Sequence, residues 1–152
     1  MQKPSADLQQ PSIRWLTPED FEYVCFDLAR ELLTYQEPIP DYSTRDNGLL
    51  ESALGAPSQT FDQKLLYPTL QKQATILFYS LIKNHPFRNG NKRIAVMALL
   101  AFLSINAKWI NIKPKKLYET ACMVSESLPN KRNEILDLLE KMIIQDLIDY
   151  PI

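Results

Sequence analysis

Two segments of this chain, Ile76–Ile82 and Ile94–Leu103, are apolar almost all the way round a helix. A helix without a polar face has to be buried. Two of them, close together in sequence, have to form the centre of whatever fold this chain adopts. Between them lies His85-Pro86-Phe87-Arg88-Asn89-Gly90-Asn91-Lys92-Arg93. That stretch holds the only histidine of the protein and one of its three glycines. It also carries three cations and two asparagines. Such a polar loop contributes little to a core and is well suited to a site.

The rest of the chain sets bounds on that reading. At 152 residues it suits one domain, able to bury its own core without disulfides or metal staples. Formal charge is −1, with 23% charged residues. That balance excludes a general nucleic-acid coat and a membrane-surface protein, so the basic loop is a local feature. Cys25 and Cys122 both sit in apolar helical patterns, which points to buried, reduced thiols and a cytoplasmic protein. Their spacing supports no metal cluster. Met1–Ser12 is polar, lacks the apolar run of a secretory signal and reads as a disordered tail, leaving residues 13–152 as the domain. Ile94–Leu103 is too short to span a bilayer.

Helix signals recur along the chain. Thr17-Pro18-Glu19-Asp20 has the N-cap, the proline and the acids of a helix start. Phe21, Val24, Cys25, Leu28 and Leu32 continue it as a stripe to about Tyr35. Ile13–Leu16 before it reads as a short strand or a docking segment. Asp46 or Asn47 caps a second helix through Leu54. Ser58–Tyr67 is irregular, with room for a short β hairpin or mobile flap. Pro68 opens a third helix to about Asn84, where Pro86 stops it. A fourth runs from about Asn91 to Ile105. A fifth covers Lys115–Ser127 after Pro114. The sixth begins near Asn130, with Ile135, Leu138, Leu139, Met142, Ile143 and Leu147 as its stripe. The fold class is all-α: a compact bundle of about six helices with the loop between two central ones.

Within the loop, His85 is the candidate proton acceptor, since imidazole exchanges protons near neutral pH. Taken alone, a histidine at a helix C-terminus is ordinarily a surface residue matched to the dipole. Here it stands among anion-suited groups. Arg88, Lys92 and Arg93 surround a helix start, where free backbone N–H groups and the positive dipole end already favour anions. Cations are the wrong sign for stability there, costing up to about 1 kcal/mol each. A local rule broken in this way marks function, and phosphate is the natural guest. Gly90 is a turn residue needing positive φ, a point of close ligand approach, or both. Phe87 reads as a core anchor. Lys115, Lys116, Lys131 and Arg132 read as solvated helix starts, and Trp15 and Trp109 as packing residues. Ser80 and Ser104 lie in apolar helices with no base nearby, which argues against a serine nucleophile.

The loop resembles the Fic/Doc family signature H-P-F-x-[D/E]-G-N-[G/K]-R, matching at His85, Pro86, Phe87, Gly90, Asn91, Lys92 and Arg93. Lys92 is similar to the Doc (death-on-curing) branch. Arg45-Asp46-Asn47-Gly48-Leu49-Leu50-Glu51-Ser52-Ala53-Leu54 resembles the segment upstream of the signature in Doc-like toxins. Trp15-Leu16-Thr17-Pro18-Glu19-Asp20 is similar to Doc-like N-termini. The resemblance spans Trp15 to Ala107. It implies a Fic-like all-α fold and a toxin of a toxin–antitoxin pair. Such a toxin transfers phosphate, or a nucleotide monophosphate, from a nucleoside triphosphate such as ATP to a protein hydroxyl. It implies His85 as general base, with Gly90, Asn91, Lys92 and Arg93 holding phosphate; Arg88 joins them by its charge. Pro86 and Phe87 are structural. Elongation factor Tu is the implied target. No nucleic-acid or membrane partner is expected.

One position departs from the signature. The family carries an acid that holds Mg²⁺ where this chain has Asn89, a neutral amide and a weak ligand for a hard cation. Three outcomes stay open: Mg²⁺ held through the nucleotide, a substitute acid (Asp46, Glu51 or Asp62), or slow or absent transfer. The family's inhibitory motif [S/T]-x-x-x-E-[G/N] does not occur in this chain, so restraint falls to a separate antitoxin. The alternative reading is a non-catalytic nucleotide- or protein-binding domain. Asn89 favours that alternative; His85 and Arg93 favour the enzyme.

Overall fold

The computed structural model describes residues 12–27, 29 and 39–150. Residues 1–11 of the expected tail and the continuation of the first helix through Leu28, Leu32 and Tyr35 lie outside these residues, as do the side chains of Val24 and Cys25. Among the described residues six helices dominate. Helix α1, Pro18–Asp20, starts at Thr17, whose side chain accepts from the Asp20 N–H, and continues into a π-helical segment, Phe21–Asp27. Helix α2 is Asn47–Gly55, capped by Asp46, whose carboxylate accepts from the Leu49 N–H. Helix α3 is Leu70–Asn84, α4 is Asn91–Ile105, α5 is Pro114–Glu126 and α6 is Arg132–Asp146.

The expected third helix starts two residues after Pro68, because the Thr69 hydroxyl caps it by accepting from the Lys72 N–H. Between α2 and α3 the irregular stretch forms the anticipated hairpin, β1 (Thr60–Phe61) paired with β2 (Lys64–Leu65). Asp62 and Gln63 make its turn, both at positive φ. A second antiparallel pair has no strong local signal. Strand β3, Lys108–Ile110, pairs with β4, Leu147–Asp149, so Leu147 belongs to a strand rather than to the last helix. Leu138, expected in the core, is 49% exposed, while Leu139 and Ile143 on the same helix are buried.

Helices α3 and α4 form the spine, as their uniform apolarity requires. Leu77, Phe78, Leu81, Ile94, Leu99 and Leu103 are essentially inaccessible to water. Fully burying each such side chain contributes roughly 1.5–3 kcal/mol. Phe21 and Phe26 of the N-terminal helix, Leu50 of α2, Leu117 and Val124 of α5 and Leu139 of α6 close around this pair. Ile13–Leu16 is a docking segment, not a strand. The Trp15 ring stacks on Phe102, and the Arg14 backbone bonds both ways with the Asn106 amide. Trp109 packs edge-on against Tyr150. Cys122 is a free thiol and only half-buried, less enclosed than its apolar surroundings in sequence suggest. Among the described residues no helix is long and apolar enough to cross a membrane.

Candidate functional site

The site is the connection between α3 and α4, and its shape follows from a few local commitments. His85 ends α3 in the left-handed region, φ 55 and ψ 56. For a side chain larger than glycine that conformation costs about 1–2 kcal/mol. Strain of this kind gathers at functional positions. It turns the chain out of the helix and leaves His85 exposed. Pro86 and Phe87 then turn back into the core. The Phe87 ring lies 5.2 Å from Phe26, 6.0 Å from Tyr42 and 6.3 Å from Phe21. The Pro86 carbonyl accepts from the Asp46 N–H at 2.8 Å, and the Asn84 amide donates to the Leu49 carbonyl at 3.0 Å. The Arg45–Leu54 stretch thus holds the loop through its backbone.

Asn91 closes the loop from the other side. Its side chain accepts from the Phe87 N–H at 3.0 Å and donates to the Phe87 carbonyl at 2.7 Å. Asn91 is 5% exposed, so both bonds are made away from water. Burial without them would leave four polar groups unpaired. The Asn91 amide therefore shapes the loop.

Gly90 precedes α4 at φ 81 and ψ 7. A Cβ there would come within 2.6 Å of the Ile39 Cγ1. Of the two roles open to Gly90, the turn is present, and the close approach is to Ile39. With no side chain to cap the helix, Gly90 leaves the start of α4 without a side-chain acceptor. The first turn holds no acid; it holds Lys92, half-buried, and Arg93, 3% exposed.

These residues bound one cavity of about 140 Å³ lined by His85, Arg88, Asn89, Gly90, Asn91, Lys92 and Arg93. It is smaller than the roughly 300–1,000 Å³ of typical ligand pockets, a size suited to a phosphate chain rather than a whole nucleotide. The structure thus brings every loop residue proposed to act on a ligand to one place. Pro86 and Phe87 stay behind it in the core.

Two further side chains join the cavity wall from α5, Tyr118 and Ser125. Nothing in the loop points to them. The signal is their spacing of seven residues, which puts both on one side of α5 next to its buried stripe of Leu117, Ala121 and Val124. Ile82 of α3 adds an apolar contact.

The donor set does not fit Mg²⁺. That ion prefers carboxylate and phosphate oxygens in octahedral array. No carboxylate lines the cavity among the described residues, and Asn89 supplies only an amide. The three candidate substitute acids are elsewhere. Asp46 is spent on capping α2, Glu51 accepts from the Asn47 amide at 3.1 Å, and Asp62 sits in the β1–β2 turn. No group of three or more His, Cys, Asp or Glu placed to hold a metal occurs among the described residues.

Comparison with known proteins agrees with the geometry. Residues 15–103, from the docking segment to the end of α4, match the Fic/DOC family. Over 66 residues the chain is 41% identical to Toxin Doc of Mycolicibacterium smegmatis. The matched stretch is 43% of this chain and 51% of that protein, so the chain spans about half the length of the curated relative it matches. No solved structure matches.

Proposed function

The chain belongs to the Fic/DOC family, and from that premise and the shape of the cavity we propose that it is a Doc-like toxin that modifies a protein hydroxyl. The donor is a nucleoside triphosphate, ATP by resemblance. The observation that carries the reading is the single cavity in which an exposed His85 stands beside Arg88, Lys92, Arg93 and the uncapped start of α4. A base next to an anion cradle is the minimum that hydroxyl-to-phosphorus transfer needs.

The step proceeds as follows. The target hydroxyl gives its proton to His85 as its oxygen attacks the terminal phosphorus. The bond from that phosphorus to the bridging oxygen breaks, and its electron pair leaves with the nucleoside diphosphate. If a nucleotide monophosphate is transferred instead, attack is at the α-phosphorus and pyrophosphate leaves. Arg88, Lys92, Arg93 and the α4 N–H groups hold the phosphate chain and offset its charge. Elongation factor Tu is the target carried over from the family, a separate antitoxin the restraint, and the cytoplasm the place of action. The Toxin Doc relative supports the toxin reading.

The second reading, a binding domain without catalysis, draws on Asn89 and on a cavity that no carboxylate lines among the described residues. Labelled ATP separates the two. The protein is incubated with a cell lysate and ATP labelled at the γ or the α position. Label on protein from the γ position alone means phosphate transfer, and label from the α position means nucleotidyl transfer. Saturable ATP binding with no label from either position supports the binding domain.

A further inference from the structure

We propose that this pocket takes its phosphate ligand as the metal-free polyanion, with Arg88, Lys92 and Arg93 in the place that a carboxylate-held Mg²⁺ would otherwise occupy electrostatically. The inference rests on the proposed function, since it concerns the same cavity, and goes beyond it by naming the charge state of the ligand.

The wall of the cavity carries three cations and, among the described residues, no carboxylate. A carboxylate there would serve a cation and would repel a phosphate chain whenever the cation was missing. Asn89 has nearly the same shape and lacks that repulsion. Its amide can donate a hydrogen bond to a phosphate oxygen, which a carboxylate cannot. Arg93 is 3% exposed and Lys92 half-buried, so their fields are screened less by salt than those of surface cations. The start of α4 adds its dipole without a side-chain cap to compete for it. Mg²⁺ bound to a triphosphate removes two negative charges from the ligand. Among the described residues the wall offers that ion three cations and no carboxylate. The metal-free form should therefore bind at least as well as the Mg²⁺ complex, the reverse of a carboxylate-bearing site.

The experiment is calorimetric titration of the full chain with ATP and with inorganic tripolyphosphate, in excess EDTA and in excess Mg²⁺. Expected is ATP affinity in EDTA equal to or greater than in Mg²⁺, weakening as salt rises. Asn89→Asp should weaken binding in EDTA about tenfold or more, from one added charge near the phosphates, and should make Mg²⁺ strengthen binding. Asn89→Ala, which removes the amide donor without adding a charge, should weaken ATP binding in EDTA less than Asn89→Asp does and should not make Mg²⁺ strengthen it, which separates charge from the lost hydrogen bond. Circular dichroism checks that each variant is folded. ATP binding to the parent that requires Mg²⁺, or that Mg²⁺ tightens tenfold, overturns the inference while leaving the proposed function standing. Binding of neither ATP nor tripolyphosphate under either condition overturns both.

Discussion

The two ends of α4 show opposite treatments of the same problem. A helix terminus leaves backbone groups without intrahelical partners. At the C-terminus the fold answers with Asn106. Its amide donates to the Phe102 carbonyl at 2.9 Å and bonds both ways with the Arg14 backbone. The end of the helix and the incoming N-terminal segment are satisfied together. At the N-terminus the residue in the capping position is Gly90, which has nothing to cap with, and cations occupy the first turn where acids would stabilise. The polar side chain nearby, Asn91, is turned to Phe87. One end is built for stability alone. At the other, groups that favour an anion are left facing a cavity. The contrast lies in the first turn, which lacks both a side-chain cap and an acid.

The largest effect should come from His85→Ala at the open end. Loss of a general base lowers the transfer rate by about 10²–10⁴-fold. ATP binding should stay nearly unchanged, while Arg93→Ala should weaken both. Labelled-target yield and calorimetry on the same folded protein measure the two quantities. A His85→Ala variant as active as the parent would remove the mechanism.

Gly90→Ala tests whether the open end is also a strained one. Positive φ and the 2.6 Å approach of Ile39 act together, and a loss of about 1–3 kcal/mol is expected. Chemical denaturation measures it. Ile39 is itself a core residue, so the cost of Gly90→Ala is measured again in an Ile39→Ala background; there it should fall only by the steric part, because the backbone strain remains. A cost that vanished there would assign the whole role of Gly90 to space.

At the closed end, Asn106→Ala should cost about 1–2 kcal/mol, from hydrogen bonds lost by a half-buried amide. Anion affinity should not change. A fall in affinity equal to that of Arg93→Ala would show that the two ends are coupled and would break the contrast between them.

The smallest effect lies beyond the closed end, where Lys108 of β3 meets Asp149 of β4 at 2.6 Å. The lysine holds the Asp149 carboxyl below its ordinary value of 3.8, through its hydrogen bond and its charge. A carboxyl whose folded-state pKa is depressed stabilises the native state above its unfolded value. That contribution fades as the pH falls through the lowered one. Lys108→Ala should therefore lower stability slightly at neutral pH and leave it alike in strong acid. Asp149 is 87% exposed as a side chain, so the change should be small and should shrink further in salt. Thermal melts of both proteins across pH 2–7 at two salt concentrations would detect it.

The spine of the fold was legible in advance because its signals are local. Uniform apolarity marks α3 and α4 as central, and Thr17, Asp46 and Pro114 mark helix starts within one turn of where they occur. The β1–β2 hairpin followed from a short irregular stretch between helices. The β3–β4 pair did not, because each strand is three residues long and its partner lies a whole helix pair away. Leu138 fits the helical stripe of α6 but faces solvent, because periodicity gives a face without saying how much of it a neighbour covers.

The same division runs through the site. The loop residues that line the cavity could be picked out along the chain, since a histidine, three cations and a glycine within one short loop need no tertiary contact to be noticed. Their assignment to tasks was decided only by packing. Asn91 looked like a ligand-binding residue, and the buried backbone of Phe87 engaged its amide. The space beside Gly90 was taken by Ile39, a residue remote in sequence. Tyr118 and Ser125 reached the cavity because α5 lies against α4. Asp46 and Glu51, open as metal ligands in sequence, were bound to groups of their own helix. The physical reason is range. Caps, turns and periodicity act over about one helical turn and can be read along the chain. The partner of a buried polar group is chosen by whichever distant element the core brings within hydrogen-bond reach.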